Sequence, residues 1–400
     1  MNRKHASASP PTAFGAASGD PRSPRPAIDG QRRLLLALAL GAPFAAGLAG
    51  CESTGPRAAY LLAARQSDGA HALLLHDSDH VELARIPVGS RAHGFALDAN
   101  RPARVAVFAR RPGTEAWILD LAERRLAGRF TSAPGRHFYG HGAFTVDGAH
   151  LLTTENDYEA GRGVIVVRST DDWRVVGEMP AHGVGPHELR LMPDARTLAV
   201  AIGGIRSHPS RPREKLDVEA MRPALNYIEL ESGRLLGSYR PPDHRQGIRH
   251  LDVAADGTVL VAIQHEGDTR DGPGGALLAR HRGEDALAFP EAAPGDWTAL
   301  DGYVGSIRAA GAGRHAIASS PRGNTLVFWD WQANRLEASQ PMLDVCAVAI
   351  APDGSAASAA GGGGEIRDFV RGEGGWQVAR VVPAGHGPAL AYDNHMASIG

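Results

Sequence analysis

The sequence predicts an all-β fold, a seven-bladed β-propeller, from three observations. Apolar runs of about 4–8 residues end at Gly, Pro or Asp, the pattern of short strands. The runs form groups that open roughly 40–60 residues apart, the length of a propeller blade. The first group lacks an opening strand, whereas the last run of the chain has that pattern and no partners. Pairing this C-terminal strand with the N-terminal blade closes the ring and removes the exposed sheet edges.

The predicted blades follow one another along the chain from Ala59. The later groups open at His93, His141, His187, His250, Gly305 and Val345, and the closing strand is predicted from His386. Asp-Gly pairs at 147–148, 256–257 and 353–354 suit tight hairpin turns with positive φ.

An insert at 205–224 interrupts the fourth group between its second and third strands. A blade needs only a hairpin there, so the long segment is a candidate functional element. The alternative is a surface loop with no function of its own. Residues 214–221 of the insert predict a short helix.

Composition limits the choice of partners and compartment. The 400 residues carry a formal net charge of −2, which gives no basic field for nucleic acid. With two cysteines, Cys51 and Cys346, a disulfide framework is excluded, and Cys346 is expected to be a small buried hydrophobe. We expect residues 51–400 to form a single propeller domain and a monomer.

The first fifty residues predict an exported protein. Residues 1–30 are rich in Ser, Pro, Ala and Arg and are interpreted as a disordered leader. In residues 31–50, Arg32 and Arg33 precede a short apolar run, which is typical of a twin-arginine signal peptide. The run ends in Leu-Ala-Gly-Cys, which resembles a lipobox whose Cys51 is acylated. We therefore expect a periplasmic lipoprotein held to a membrane by its acyl chains.

Candidate site residues lie at the starts of the predicted inner strands. The first strand of a propeller blade lies nearest the axis, so its opening residue lies near one mouth of the central channel. His93, His141, His187 and His386 share one register there, and His250 takes a nearby place. Converging imidazoles could bind Fe, Cu or Zn, bind an anion, or act as acid and base. Alternatively, His recurs because the repeat was duplicated and each ring only packs within its blade.

Three carboxylates accompany these histidines in the sequence. Glu155 and Asp157 end a predicted second strand, and Glu188 follows His187 directly. Carboxylates near a His ring could complete a metal site or perform acid–base catalysis. Acidic residues at strand ends also cap turns, so both interpretations stay open. Arg249, beside His250, is expected to be solvated.

The sequence contains no Gly-x-Ser-x-Gly elbow, His-Glu-x-x-His motif, phosphate loop or Cys-x-x-Cys-His motif. It therefore favours a non-catalytic protein with no certain cofactor. The alternatives are a metal-assisted, lactonase-like hydrolase and a protein-interaction scaffold.

The chain resembles a family of exported bacterial propeller proteins of unknown function. The segments that carry the resemblance are GHGAF at 140–144, TTENDYEAGRGVI at 153–165, HGVGPHEL at 182–189, GGI at 203–205, HP at 208–209, REKL at 213–216, IRHL at 248–251, GYVGSI at 302–307 and SPRG at 320–323. Members are typically encoded beside imelysin-type iron-regulated proteins and a di-haem peroxidase-like oxidoreductase. The resemblance implies a periplasmic propeller that assists iron or other metal acquisition, by binding metal or docking proteins of an imelysin-type system.

Overall fold

Seven antiparallel sheets, each running outward from one inner strand, form the blades of a propeller. The computed structural model describes residues 57–268, 274–310, 313–384 and 390–399. Blade 1 comprises β29 (Ala391–Ser398), β1 (Tyr60–Arg65), β2 (His71–His76) and β3 (Glu82–Val88). Blade 2 comprises β4 (Ala92–Leu97), β5 (Arg104–Ala109), β6 (Glu115–Asp120) and β7 (Arg125–Thr131). Blade 3 comprises β8 (Arg136–Phe144), β9 (His150–Asp157), β10 (Arg162–Ser169) and β11 (Val175–Pro180).

The other four blades follow in chain order. Blade 4 comprises β12 (Pro186–Leu191), β13 (Thr197–Ile202), β16 (Ala224–Glu229) and β17 (Leu235–Tyr239). Blade 5 comprises β18 (Gln246–Val253), β19 (Val259–His265) and β20 (Leu278–His281). Blade 6 comprises β21 (Ser306–Ala309), β22 (His315–Ser320), β23 (Thr325–Asp330) and β24 (Arg335–Pro341). Blade 7 comprises β25 (Val345–Ile350), β26 (Ala356–Gly361), β27 (Ile366–Gly372) and β28 (Gly375–Val382).

The ring closes through the pairing of the two ends of the described chain, which confirms the predicted fold. Strand β29 pairs antiparallel with β1, from Tyr60 opposite Ser398 to Arg65 opposite Ala391. The inner strands contact one another in the cyclic order β29, β4, β8, β12, β18, β21 and β25, and β25 contacts β29 again. Each inner strand therefore packs against the inner strands of both neighbouring blades.

The core lies between neighbouring blades because side chains alternate across each sheet. In β5, Val105 and Val107 pack toward blade 1, in a cluster that includes Leu73. The intervening Ala106 and Phe108 pack toward blade 3. Both faces of a middle strand are thus buried, which explains its nearly continuous apolar sequence.

Two local predictions were wrong. Residues 214–221 do not form a helix, because the insert forms a hairpin of β14 (Arg206–His208) and β15 (Arg211–Leu216). Asp217 then adopts a φ of 57°, and only a 3-10 turn, Val218–Ala220, follows. Residues 286–289 also match the strand pattern, which predicts a fourth strand for blade 5, but only a bridge between Arg280 and Ala288 forms there. The chain turns away there into α1 (Pro294–Ala299).

The predicted leader, Arg32, Arg33, Cys51 and His386 lie outside the described residues. Within the described residues, no helix is long and apolar enough to cross a bilayer.

Candidate metal centre

The inner strands of five blades carry a histidine at or beside a break in their pairing register. The register of β4 shifts between Ala92 and Phe95, and His93 lies in that gap. Equivalent shifts lie at or next to the other four inner-strand histidines, His141, His187, His250 and His395. A β-bulge bends its strand and redirects the side chain beside it. The five bulges explain how residues of separate sheets meet at the axis.

The five imidazole rings form one buried cluster. His93 has ring centroids 4.9 Å from His141 and 4.7 Å from His395. His250 has centroids 4.7 Å from both His187 and His395. At most 7% of each residue is exposed. The predicted convergence of His93, His141, His187 and His250 is therefore present in the structure.

His395 joins the cluster, although the sequence analysis did not identify it. The His-Gly pair at His386, like the pairs at His93 and His141, instead predicts His386 as the closing histidine. Strand β29 begins only at Ala391, and its bulge places His395 beside the other rings. The residues at 391–398 (AYDNHMAS) show no alternation of apolar and polar residues, so the sequence carried no clear signal for this register.

Two glycines make the close approach of neighbouring strands possible. A Cβ on Gly94 would lie 2.4 Å from the Gly140 carbonyl oxygen and 2.7 Å from His141 Nδ1. A Cβ on Gly140, whose φ is +105°, would lie 2.5 Å from His93 Cδ2. Side chains at these positions would push the rings apart, so Gly94 after His93 and Gly140 before His141 serve packing within the cluster.

Burial keeps the cluster uncharged at neutral pH. Removal from water lowers the pKa of all five imidazoles, and lowers that of His141 to about 3. Neighbouring rings lower these pKa values further. His141 opposes the protonation of His93, and His93 opposes the protonation of His395. Each neutral ring retains one nitrogen lone pair, which is the form that binds metals.

Glu188 orients two of the rings. Its Oε2 accepts a hydrogen bond from His250 Nδ1 at 3.0 Å, and its Oε1 lies 3.6 Å from His141 Nδ1. Burial alone would raise the pKa of Glu188, but the neighbouring His141, then Arg190 and the bond from His250, hold that pKa well below its usual value. An ionised carboxylate on Nδ1 directs Nε2 toward the centre, as second-shell carboxylates do in histidine metal sites.

Several ring nitrogens have no partner among the described residues. These atoms are His93 Nδ1, His141 Nε2, His187 Nδ1 and His395 Nε2. Buried polar atoms are nearly always satisfied in folded proteins, so four in one cluster call for a ligand. Three triads have ligand atoms within 4.8 Å of one another, namely His93-His141-His395, His93-His187-His250 and His141-Glu188-His250. The residues present therefore fit a transition metal ion, which imidazole ligands favour.

Glu155 and Asp157 lie apart from the cluster. Glu155 is buried in blade 3, where its Oε1 accepts bonds from Arg168 at 2.8 Å and Thr153 at 3.0 Å. Asp157 accepts a bond from Arg162 at 2.9 Å, and both acids line a separate pocket with a volume of about 390 Å³. Neither shares a candidate metal group with the histidines of the described residues. This placement gives no support to a hydrolytic centre that combines Glu155 with the His ring.

Cys346 occupies the bulge of blade 7 but does not face the cluster. Its register shift lies between Val345 and Ala347. The thiol donates to the Tyr392 carbonyl at 3.2 Å, and burial raises its pKa. It is the small buried residue that the sequence predicts, and not a metal ligand.

The insert reaches the residues beside the cluster. Arg249, which precedes His250, is buried and not solvated as the sequence analysis expected. Its Nη2 lies 2.5 Å from Glu266 Oε1, and Lys215 of β15 lies 2.9 Å from Glu266 Oε2. The insert is therefore tied to an inner-strand arginine through one carboxylate.

The comparisons with known proteins assign a family. The model of the family described as "Protein of unknown function (DUF1513)" matches residues 86–399. The chain belongs to this family. The match contains all five clustered histidines and Glu188. As a DUF1513 protein the chain inherits no assigned activity, and no curated protein matches it in sequence.

Solved structures agree with the DUF1513 protein in fold alone. A chain of Kuenenia stuttgartiensis hydrazine synthase is 13% identical with a TM-score of 0.56, over 79% of this chain and 96% of that one. The C-terminal WD40 domain of Sif2 is 13% identical with a TM-score of 0.49, over 78% of each chain. The first likeness supports the propeller architecture and says nothing about chemistry.

Proposed function

We propose that this DUF1513 protein is a non-catalytic β-propeller that binds one transition metal ion among His93, His141, His187, His250 and His395. The four unpartnered ring nitrogens in a buried, uncharged cluster carry the proposal. Buried polar atoms without partners cost about 1–3 kcal/mol each, and a bound ion would remove that cost. Nothing in the described cluster supplies a thiolate, so Fe, Cu and Zn are the candidate ions.

The neutral state of the rings supports tight binding near neutral pH. Imidazoles with ordinary pKa values take up protons as the pH falls toward 6.5, and these protons compete with the metal for the ring nitrogens and weaken metal binding. Here burial lowers these pKa values, so little proton competition is expected at pH 6–7. Desolvation before the metal arrives also means that the site is organised in advance.

The cellular role is proposed from the sequence. The twin-arginine signal and lipobox support a periplasmic, membrane-anchored protein. The resemblance to proteins encoded beside imelysin-type iron-regulated proteins supports a role in iron or other metal acquisition. In this role the propeller would hold metal for, or receive it from, periplasmic proteins of that system.

Calorimetric titration of chelator-treated protein with Fe(II), Cu(II) and Zn(II) tests metal binding. We expect one ion per chain, and at least roughly tenfold weaker binding in His141→Gln and in His395→Gln. His150→Gln is the matched control, because His150 lies in β9 and belongs to no candidate metal group of the described residues. Absence of binding to the wild type, or equal affinity in all four proteins, would overturn the proposal.

A further inference from the structure

A group of cationic and hydroxyl donors lies next to the histidine cluster. Arg110 and Arg111 follow β5, Tyr139 lies in β8 next to Gly140, and Arg249 precedes His250 in β18. Strand β5 pairs with β4 so that Ala109 faces Ala92, the neighbour of His93. These donors therefore border the same end of the inner strands as the rings.

Two of the donors are buried and each carries a polar atom without a partner among the described residues. Tyr139 is 1% exposed and Arg249 is 3% exposed. The Tyr139 hydroxyl lies near Ser207 but outside hydrogen-bonding geometry, and Arg249 Nε also has no partner among the described residues. The Tyr139 ring lies 6.4 Å from that of His187, so Tyr139 borders the proposed metal site.

Positive charge exceeds negative charge here. Arg111 lies within electrostatic reach of Arg249, Tyr139 and Glu266, and burial followed by the Arg249 charge lowers its pKa to about 10. Glu266 is the one carboxylate that pairs with Arg249, and it is shared with Lys215. Among the described residues, no carboxylate pairs with Arg110 or Arg111. Partly buried guanidinium groups left unpaired are costly, so the arrangement calls for an anion.

We infer that Arg111, Arg249 and Tyr139 form a cradle for a small carboxylate beside the histidine cluster, where it serves as a co-ligand of the metal. Guanidinium groups bind carboxylates through paired, charge-assisted hydrogen bonds, and the Tyr139 hydroxyl supplies a further donor. The carboxylate would also screen the metal charge from the surrounding arginines. Binding of the carboxylate depends only on the donors of the cradle, whereas the co-ligand role rests on the proposed metal site.

Anion binding to the metal-free protein tests the cradle. Acetate and oxalate are titrated by calorimetry in chloride buffer, with phosphate as the comparison anion. We expect both carboxylates to bind the wild type, and binding to be roughly tenfold weaker or more in Arg111→Gln and measurably weaker in Tyr139→Phe. Arg174→Gln is the control, since Arg174 is 69% exposed and pairs only with Asp172. No carboxylate binding to the wild type, binding equal in Arg111→Gln, or binding of phosphate alone overturns the cradle.

The co-ligand role is tested with acetate, which chelates free metal weakly. Metal affinity should rise with acetate in the wild type and stay constant in Arg111→Gln. Carboxylate binding with no effect on metal affinity overturns the co-ligand role and leaves the cradle. Carboxylate binding without any metal binding overturns the proposed metal function and leaves the cradle, so the two failures are distinguishable.

Discussion

Glu188→Gln tests whether the carboxylate beside two of the rings is needed for metal binding. Its carboxylate contacts the Nδ1 atoms of His250 and His141, and it pairs with Arg190 at 2.9 Å. In Glu188→Gln the side chain keeps its size but loses the charge that favours one tautomer of both rings. We expect metal affinity to fall roughly 10- to 100-fold, as for other carboxylates behind a histidine ligand.

Calorimetry on Glu188→Gln checks this expectation, with Glu178→Gln as the control because Glu178 lies in outer strand β11. The melting temperature of the metal-free variant is measured in parallel. An unchanged metal affinity in a folded variant would show that the carboxylate does not position the rings.

Gly94 sets the distance between two ligand strands. In Gly94→Ala the new Cβ would meet the Gly140 carbonyl at 2.4 Å, a backbone atom that cannot move aside freely. We expect a loss of about 1–3 kcal/mol in the free energy of unfolding from this overpacking, together with weaker metal binding. Gly363→Ala is the control, since nothing lies within 4 Å of its added Cβ.

Urea denaturation and calorimetry measure both effects of the Gly94 change. Equal stability of the Gly94→Ala and Gly363→Ala proteins would contradict the view that Gly94 permits the close approach of the two strands.

At the scale of elements, the closing strand has two roles, because β29 completes blade 1 and carries His395. Met396 is fully buried and packs with Leu62 and Ala347. Truncation in Met396→Ala should cost about 2–5 kcal/mol of unfolding free energy, the usual range for a buried large-to-small change. The matched control is Leu343→Ala, where the side chain is 74% exposed and the change should be small.

Denaturant midpoints of the two variants test the role of β29. If Met396→Ala were no less stable than Leu343→Ala, the ring would not depend on the closing strand. Metal affinity of Met396→Ala adds a second readout, because the neighbouring His395 should become less well positioned.

Some structural elements could be predicted from the sequence and others could not. The Asp-Gly turns were predictable because their chemistry is local, and Gly148, Gly257 and Gly354 adopt positive φ as expected. The register of β29 was not predictable, because it depends on pairing with β1, which lies more than 300 residues away in the sequence. His395 therefore escaped prediction, whereas His93 and His141 were found from a local His-Gly pattern.

The positions of Glu155 and Glu188 were also not predictable from the sequence, because they depend on contacts between strands. Glu155 and Glu188 both looked like partners of the histidines in sequence, but strand alternation sends Glu155 to Arg168 and away from the axis. Glu188 reaches His141 and His250 because a bulge lies between Pro186 and Glu188. A bulge is set by contacts between strands, so its position cannot be read from one chain segment.

At the scale of the whole molecule, the cluster should make the metal-free protein sensitive to acid. The unfolded chain binds a proton at each histidine near pH 6.5, whereas burial lowers the folded pKa values below this, to about 3 for His141. The unfolded state thus binds more protons between these values, so stability is complete above about pH 6.5 and falls as the pH drops. Each imidazole that stays neutral in the folded protein lowers the free energy of unfolding by about 1.4 kcal/mol for every unit that the pH falls in that range.

Urea denaturation of the chelator-treated protein over about pH 5.5–7.5 measures this slope. The variant His187→Gln should show a shallower pH dependence, because one suppressed imidazole is gone. His150→Gln should retain the slope of the wild type. A pH-independent free energy of unfolding would contradict neutral burial of the cluster.

The five histidines come from blades 1 to 5, and the blade 1 ligand lies in the strand that returns from the far end of the described chain. During translation, His93, His141, His187 and His250 leave the ribosome long before His395 does. A nascent or prematurely terminated polypeptide therefore lacks His395, one of the five clustered histidines, even if its other blades have already folded. If the cluster holds an ion as proposed, all five histidines are available to it only after synthesis has passed β29.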